Sequence, residues 1–396
     1  MSEKTYTLSG SVQIAVLLLA TSFLFVAYLV RFGYGVLLPR MIEDLRLSHV
    51  EAGLAYSLFL FLYSLFSVIS GRLFDRFGVK VISLLCYVYS IGTVLVGLSQ
   101  NYYMLALGLA IAGLGSSSSW TPMVALVSLS LPNERRSRAI GMLEVGIRIS
   151  HGTTGLIIPI IALTLGWRAC WWIIASLLLV YGVIFQTLTR RLHFEMQKGR
   201  SVKYKEVLSS KRFWLIGASY FFMAFGSYSI ITFLVDFLEQ EVGIPYVEAS
   251  AMVSLMGFVG IIGALAFSWL SDRVGRGTII TICDMLASAT LVFFIFSIQN
   301  AAIKSFLMLI TAVYGVFYGV WPIYAACAGD VFPDAVGTVV GLWTLLSGLS
   351  ALTAPTLGGL MVDVTGSYVI ALEASCLTYA FAAVIMILTS TLKKIS

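Results

Sequence analysis

Long apolar runs separated by short polar connections constrain this chain more than any other feature. A run of about 20 apolar residues is what an α-helix needs to cross a lipid bilayer. Such runs fall near 12–38, 51–71, 79–99, 103–129, 139–163 and 169–188, then near 213–238, 248–270, 278–298, 303–329, 337–361 and 367–391. The expected fold is therefore an all-α membrane protein of twelve spans. With 59% hydrophobic and 11% charged residues, a water-soluble globule is excluded. The first run is too long for the core of a signal peptide and is expected to be retained.

The single long polar stretch, 189–212, carries Arg190, Arg191, Lys198, Arg200, Lys203, Lys205, Lys211 and Arg212. It divides the chain into an N-terminal half (1–188), a linker and a C-terminal half (213–396). The halves repeat each other. Gly71-Arg72-Leu73-Phe74-Asp75-Arg76-Phe77-Gly78-Val79-Lys80 returns as Ser268-Trp269-Leu270-Ser271-Asp272-Arg273-Val274-Gly275-Arg276, 197 positions later by the aspartates. Trp120-Thr121-Pro122 is echoed by Trp321-Pro322, and Pro132, Pro159 and Gly166 by Pro333, Pro355 and Gly366, at nearby offsets. A shared offset across many weak pairs marks a six-plus-six parallel duplication.

Basic residues give the orientation. Arg72, Arg76, Lys80, Arg135, Arg136, Arg138, Arg273, Arg276, the linker set, Lys4, Lys393 and Lys394 share one side, while Arg40, Arg46, Arg168 and Lys304 occupy the other. The positive-inside rule places both termini and the linker in the cytoplasm of a multi-pass cell-membrane protein. The net charge of +6 is thus a topology signal with a lipid-headgroup role, and no nucleic-acid partner is expected. The five cysteines, at unrelated spacings inside apolar runs, form neither a disulfide framework nor a metal pattern. No metal, cofactor or enzyme constellation is expected.

The motif Gly71-x-x-x-Asp75-Arg76-x-Gly78-x-Lys80 resembles the signature between helices 2 and 3 of the major facilitator superfamily, with a degenerate copy at 268–276 between helices 8 and 9. The resemblance covers essentially the whole chain. It implies two pseudo-symmetric halves rocking about a mid-depth cavity lined by helices 1, 4, 7 and 10, helped by 5, 8 and 11, in a protein that acts as a monomer. Within the motif, Gly71 and Gly78 suit close approach and a tight turn. Asp75 and Arg76, with Asp272 and Arg273, are candidate gating residues that latch the halves by charge-assisted bonds or at helix ends. The blander alternative is a folding and topology element.

Ionisable residues within the spans locate the candidate site, because burying them in lipid costs several kcal/mol. Arg31 lies about 12 Å inside the first span at 1.5 Å per residue, eight residues before Pro39. This resembles the helix-1 arginine of the anion:cation symporter branch; a snorkelling arginine is the alternative. In the fifth span Glu144, Arg148 and His151 stand at i, i+4 and i+7 on one face, with Arg148 roughly 13 Å deep. Glu144 is expected to pair with Arg148 until an anion competes for the guanidinium, whose planar fork fits a carboxylate. Glu144 and His151 are candidate proton carriers; a structural ion-pair network is the alternative. Ser117 in the fourth span, Tyr228 (the repeat counterpart of Arg31), and Tyr318 and Trp321 in the aromatic tenth complete the candidate substrate contacts. Asp236, Asp330 and Asp363 fall near span ends and are expected to be interfacial.

Several family subpatterns are missing. Leu109 stands where drug antiporters carry an arginine before Gly113, and Ile158 rather than glycine precedes Pro159. The eighth span lacks the Asp/Arg pair of monocarboxylate porters, and the eleventh lacks the lysine of oxalate:formate exchangers. The leading expectation is a secondary active transporter of a small organic carboxylate, by proton symport or anion exchange. The alternative is a proton-coupled exporter of lipophilic compounds, to which two arginines in one cavity would be hostile.

Overall fold

The computed structural model describes residues 10–131, 133–189, 204–300, 303–332 and 336–392. Pro132, Pro333, Lys4, Lys393, Lys394 and most of the linker set lie outside them, and the side chains of Arg135, Arg136 and Arg138 are likewise not described. The helices of the first half are α1 (Gly10–Leu45), α2 (His49–Phe77), α3 (Val79–Leu98), α4 (Tyr102–Ser116), α5 (Trp120–Ser130), α6 (Asn133–Leu165) and α7 (Trp167–Thr189). A short α8 (Tyr204–Leu208) precedes the second half: α9 (Lys211–Gln240), α10 (Tyr246–Val274), α11 (Arg276–Gln299), α12 (Lys304–Phe317), α13 (Trp321–Val331), α14 (Val336–Thr365) and α15 (Val369–Leu392). One end of the bundle carries the start of α1 and the end of α15 and is called the linker face here; the other is the far face.

Twelve crossings result, ten as single helices and two as broken ones. Eleven of them, among the described residues, are long and apolar enough to span a membrane; the fourth falls short because it is interrupted between α4 and α5. The break follows from sequence. Pro122 lacks the N–H that would bond Ser118, and its ring crowds that carbonyl. The chain tightens instead into i→i−3 bonds, with the amides of Ser117, Ser118 and Ser119 donating to Leu114, Gly115 and Ser116. The tenth crossing breaks in the equivalent place, with a 3-10 turn at Tyr318–Val320 ahead of Pro322. Interruptions at matching points of two repeats put unwound backbone at mid-depth, where discontinuous membrane helices form ligand sites.

The two halves pack in matching ways. Within them α3 lies on α7, and α11 on α15. Each pair is tied by a serine hydroxyl donating to a carbonyl, Ser83 to Gly182 and Ser288 to Cys376, both at 2.8 Å. Between halves α2 crosses α14 and α6 crosses α10, as a pseudo-twofold exchange requires. Both crossings bring backbones together at small residues: a Cβ on Gly53 would stand 2.1 Å from the Pro355 carbonyl oxygen, and one on Gly155 2.0 Å from that of Ser250. Turn glycines repeat as well. Gly78 after α2 and Gly275 after α10 adopt φ of +63° and +105°, where a side chain is strained.

The hydrogen bonds joining the halves run from mid-depth to the far face. Tyr246 Oη donates to the Val36 carbonyl at 2.9 Å, Thr356 to Ser57 at 2.9 Å, and Arg40 pairs with Glu239. His49 meets Asp236, Asp363 and Tyr368 at the same end. On the linker face Asp75 is exposed and makes no hydrogen bond or ion pair among the described residues. Asp272 and Asp330 bind Arg276 within their own half. These contacts close the far face. Asp236, expected at an interface with solvent, is instead 1% exposed, because α2 and the Tyr368 turn cover it.

Candidate substrate site

The site is built where the broken helices meet α1 and α6. α1 presents Tyr28, Arg31 and Phe32 on successive turns of one face; α6 presents Ile140, Glu144, Ile147 and Arg148. Opposite them stand Tyr220 and Tyr228 of α9, Tyr318 of the 3-10 turn, Trp321 and Pro322 of α13, and Thr344 and Ser347 of α14. Tyr63 and Ser64 of α2 and Trp120 of α5 complete a cavity of about 230 Å³. Its lining extends from Arg31 towards Ile140 and Val340 near the linker face. Helices of spans 1, 4, 5, 7, 10 and 11 contribute as expected; α2 contributes in place of the eighth span.

Both arginines face this space. Arg31 Nη2 donates to Tyr228 Oη at 2.8 Å, and that hydroxyl lies 3.2 Å from Ser347 Oγ. The guanidinium is ringed by Tyr28, Tyr63 and Tyr228 at 5.4, 5.3 and 5.4 Å from their centroids. Tyr56 Oη donates to the Arg31 carbonyl at 2.6 Å, which fixes this stretch of α1 against α2. Arg148 is 4% exposed, its guanidinium 5.1 Å over the Tyr318 ring, and its Nε has no hydrogen-bond partner. Neither arginine has a carboxylate partner among the described residues.

Magnitude makes this arrangement informative. A cation–π contact contributes about 0.5–2 kcal/mol, whereas removing a guanidinium from water costs several. The aromatic rings hold the two cations in place without neutralising them. The arrangement has the charge and the donors that an anionic group such as a carboxylate or sulfonate would need. The indole N–H of Trp321, also without a partner, adds a further donor on the same wall.

Two expectations about α6 are corrected. Glu144 lines the cavity but forms no ion pair with Arg148; the guanidinium lies over Tyr318 instead of along its own helix face. His151 does not line the cavity. It is fully buried, stacked on Phe32 at 4.0 Å and edge-on to Tyr318 at 5.8 Å, with no hydrogen bond at either ring nitrogen. Its i+7 position turns it into the wall behind Arg148. Ser117 is corrected too. Its hydroxyl donates to the Leu114 carbonyl at 2.7 Å, and its own carbonyl accepts from Ser70 of α2 at 2.9 Å. It serves the helix break, not the cavity. The linker-face residues Gly71, Asp75, Arg76, Gly78, Asp272 and Arg273 lie away from the site at the ends of α2 and α10.

Tyr28, Tyr63, Tyr220, Trp120 and Ser347 were not among the expected contacts. For Tyr28 the signal was available, since it precedes Arg31 by one helical turn. Tyr220 likewise precedes Tyr228 by about two turns.

A helical bundle whose repeated halves enclose a polar cavity at mid-depth, sealed at one end, has the build of a secondary transporter. The chain belongs to the Major Facilitator Superfamily, whose family model matches residues 20–300 and 216–394. Members of this superfamily are transporters and not enzymes. Among relatives, a hexuronate transporter of Bacillus subtilis is 24% identical over 373 residues, covering 87% of this chain and 88% of that protein. A probable sulfoacetate transporter of Cupriavidus necator is 21% identical, covering 87% and 86%, and a cis,cis-muconate transport protein of Acinetobacter baylyi is 23% identical, covering 81% and 80%. The fold resembles the crystal structure of a bacterial homolog of the human lysosomal transporter Spinster in an inward-facing, occupied conformation. That match has a TM-score of 0.78 at 18% identity and covers 95% of this chain and 96% of the other.

Proposed function

We propose that this protein carries a small organic anion, a carboxylate, across the cell membrane by alternating access, with a proton as the coupling ion. One observation carries the reading: Arg31 and Arg148 converge on a single cavity, and neither has an acidic partner among the described residues. Relatives that carry hexuronate, sulfoacetate and muconate support an organic acid as cargo. The lining contains many rings and no Asn or Gln among the described residues, which suits a compact acid with an unsaturated or apolar body. A lipophilic cation would meet two unneutralised guanidiniums, so the exporter reading loses support.

Among the described residues Glu144 is the one acidic residue in the lining. Ionised, it leaves the cavity with a net charge of +1 (two arginines less one carboxylate); protonated, it leaves +2 and a stronger pull on the anion. It is therefore the coupling group in this reading, with His151 sealed behind the wall. The basic residues of the linker face make that face cytoplasmic. The protein then stands inward-facing, with Asp75, Arg76, Asp272 and Arg273 gaining partners in the opposite half only after the halves rock. One copy suffices, because the cavity lies within a single chain.

Uptake into proteoliposomes tests the proposal. A radiolabelled carboxylate is expected to accumulate against its gradient under an inside-alkaline pH difference, and Arg148→Ala is expected to abolish this. Accumulation of lipophilic cations in place of anions would overturn it.

A further inference from the structure

The far-face seal contains an ionisable cluster that the central site does not use. His49, the first residue of α2, projects between carboxylates of the other half. Its Nδ1 lies 2.9 Å from Asp363 Oδ1 at the end of α14, and its Nε2 lies 3.4 Å from Asp236 Oδ2 of α9. Tyr368, in the turn before α15, stands 2.9 Å from Nε2 and also donates to Asp236. Asp363 further accepts the backbone N–H groups of His49 and Val50, at 3.0 and 2.8 Å. The other charged groups nearby are engaged. Glu241 accepts from Ser367 and the Tyr368 amide, Glu239 holds Arg40, and Glu51 folds back on Ser48 as a helix cap.

With both carboxylates ionised, hydrogen counting calls for a charged ring. A neutral imidazole has one N–H. In either tautomer one nitrogen then offers a lone pair towards a carboxylate oxygen. Tyr368 cannot relieve this, because its single hydroxyl proton cannot serve both Asp236 and Nε2. Burial and the Asp236 carboxylate push the Tyr368 phenol well above its usual range, so it remains a donor and never a compensating charge. An imidazolium, by contrast, donates from both nitrogens and faces two carboxylates. Loss of that proton strands Asp236, 1% exposed, without a cation in the cluster. An uncompensated buried carboxylate is strongly unfavourable, and separating the halves rehydrates it.

We propose that His49 is a proton-binding site whose occupied form clamps the two halves together at the far face. The side chain is 27% exposed while the clamp is shut, so the far-face solution exchanges with it and the site senses pH on that side. The closed state surrounds the ring with two carboxylates and binds the proton more tightly than the open one. The closed:open ratio therefore rises as pH falls, by at most about tenfold per pH unit for a single proton. This clamp is independent of the cargo, and it stands or falls separately from the anion reading.

Spin labels at Tyr103→Cys and Val364→Cys, exposed far-face positions on opposite halves, report the clamp by pulsed-dipolar distances on the full-length protein without substrate. The five native cysteines are buried and do not compete for label. The short-distance population is expected to grow from about pH 9 to pH 5, across the histidine range. His49→Gln is expected to abolish that growth, and His49→Lys to hold the short distance at every pH. Should His49→Gln not fold, Asp236→Asn in the same labelled protein is expected to flatten the response. Distances independent of pH, a response that survives His49→Gln, or one unaltered by Asp236→Asn would each overturn the proposal.

Discussion

Arg148 is held by burial and by the Tyr318 ring rather than by an acid, so its contribution to anion binding is separable from folding. Arg148→Lys keeps a charge but loses the planar fork; carboxylate affinity by calorimetry is expected to fall about ten- to hundredfold, and Arg148→Ala to abolish measurable binding. Tyr228→Phe removes the hydroxyl that orients Arg31 at 2.8 Å and is expected to weaken binding roughly two- to tenfold, the worth of about one hydrogen bond. Ser117→Ala is expected to leave affinity unchanged. Arg31, Arg148, Tyr228, Tyr318 and Trp321 were legible because a cation or a repeat-matched aromatic stands out in an apolar helix. Tyr28, Tyr63 and Tyr220 were not, since tyrosine occurs as commonly in packing as in sites. Ser117 misled for a different reason: an i−3 hydroxyl-to-carbonyl bond leaves no mark in the sequence.

Among the elements, the crossing of α2 and α14 is the one least able to give way. Gly53 lies against the Pro355 carbonyl with no room for a Cβ, so Gly53→Val has to push the helices apart at the sealed end. Far-face accessibility, read by labelling Val36→Cys, at a sealed position that is 1% exposed, with a membrane-impermeant thiol reagent, is expected to rise; unchanged labelling would mean that this contact does not hold the seal. Apolar runs located the crossings to within a few residues, because bilayer thickness fixes their length. The two breaks were not expected, although Trp120-Thr121-Pro122 and Trp321-Pro322 marked them. A proline next to small residues reads equally as a kink, and only the surrounding packing determines which carbonyls stay satisfied.

For the whole molecule, one cavity links two repeated halves that are joined from mid-depth to the far face. The repeat itself was plain from the 197-residue offset, whereas the conformational state was not, because alternation leaves the sequence unchanged. Coupling belongs to this scale. Glu144→Gln removes the titratable group from the cavity and is expected to abolish accumulation driven by a pH gradient while preserving anion exchange at equal pH in proteoliposomes. Accumulation that persists in this variant would move coupling elsewhere. The central claim, an anion bound between Arg31 and Arg148, is tested most directly by thermal unfolding of the purified protein with a panel of carboxylates, sulfonates and lipophilic cations. A ligand that binds only the folded protein stabilises it by about 2.7 kcal/mol at a hundredfold excess over its dissociation constant. The account predicts that at least one carboxylate raises the unfolding temperature of the native chain and leaves Arg31→Ala and Arg148→Ala unmoved; stabilisation by lipophilic cations alone, or by the same anion in both variants, would contradict it.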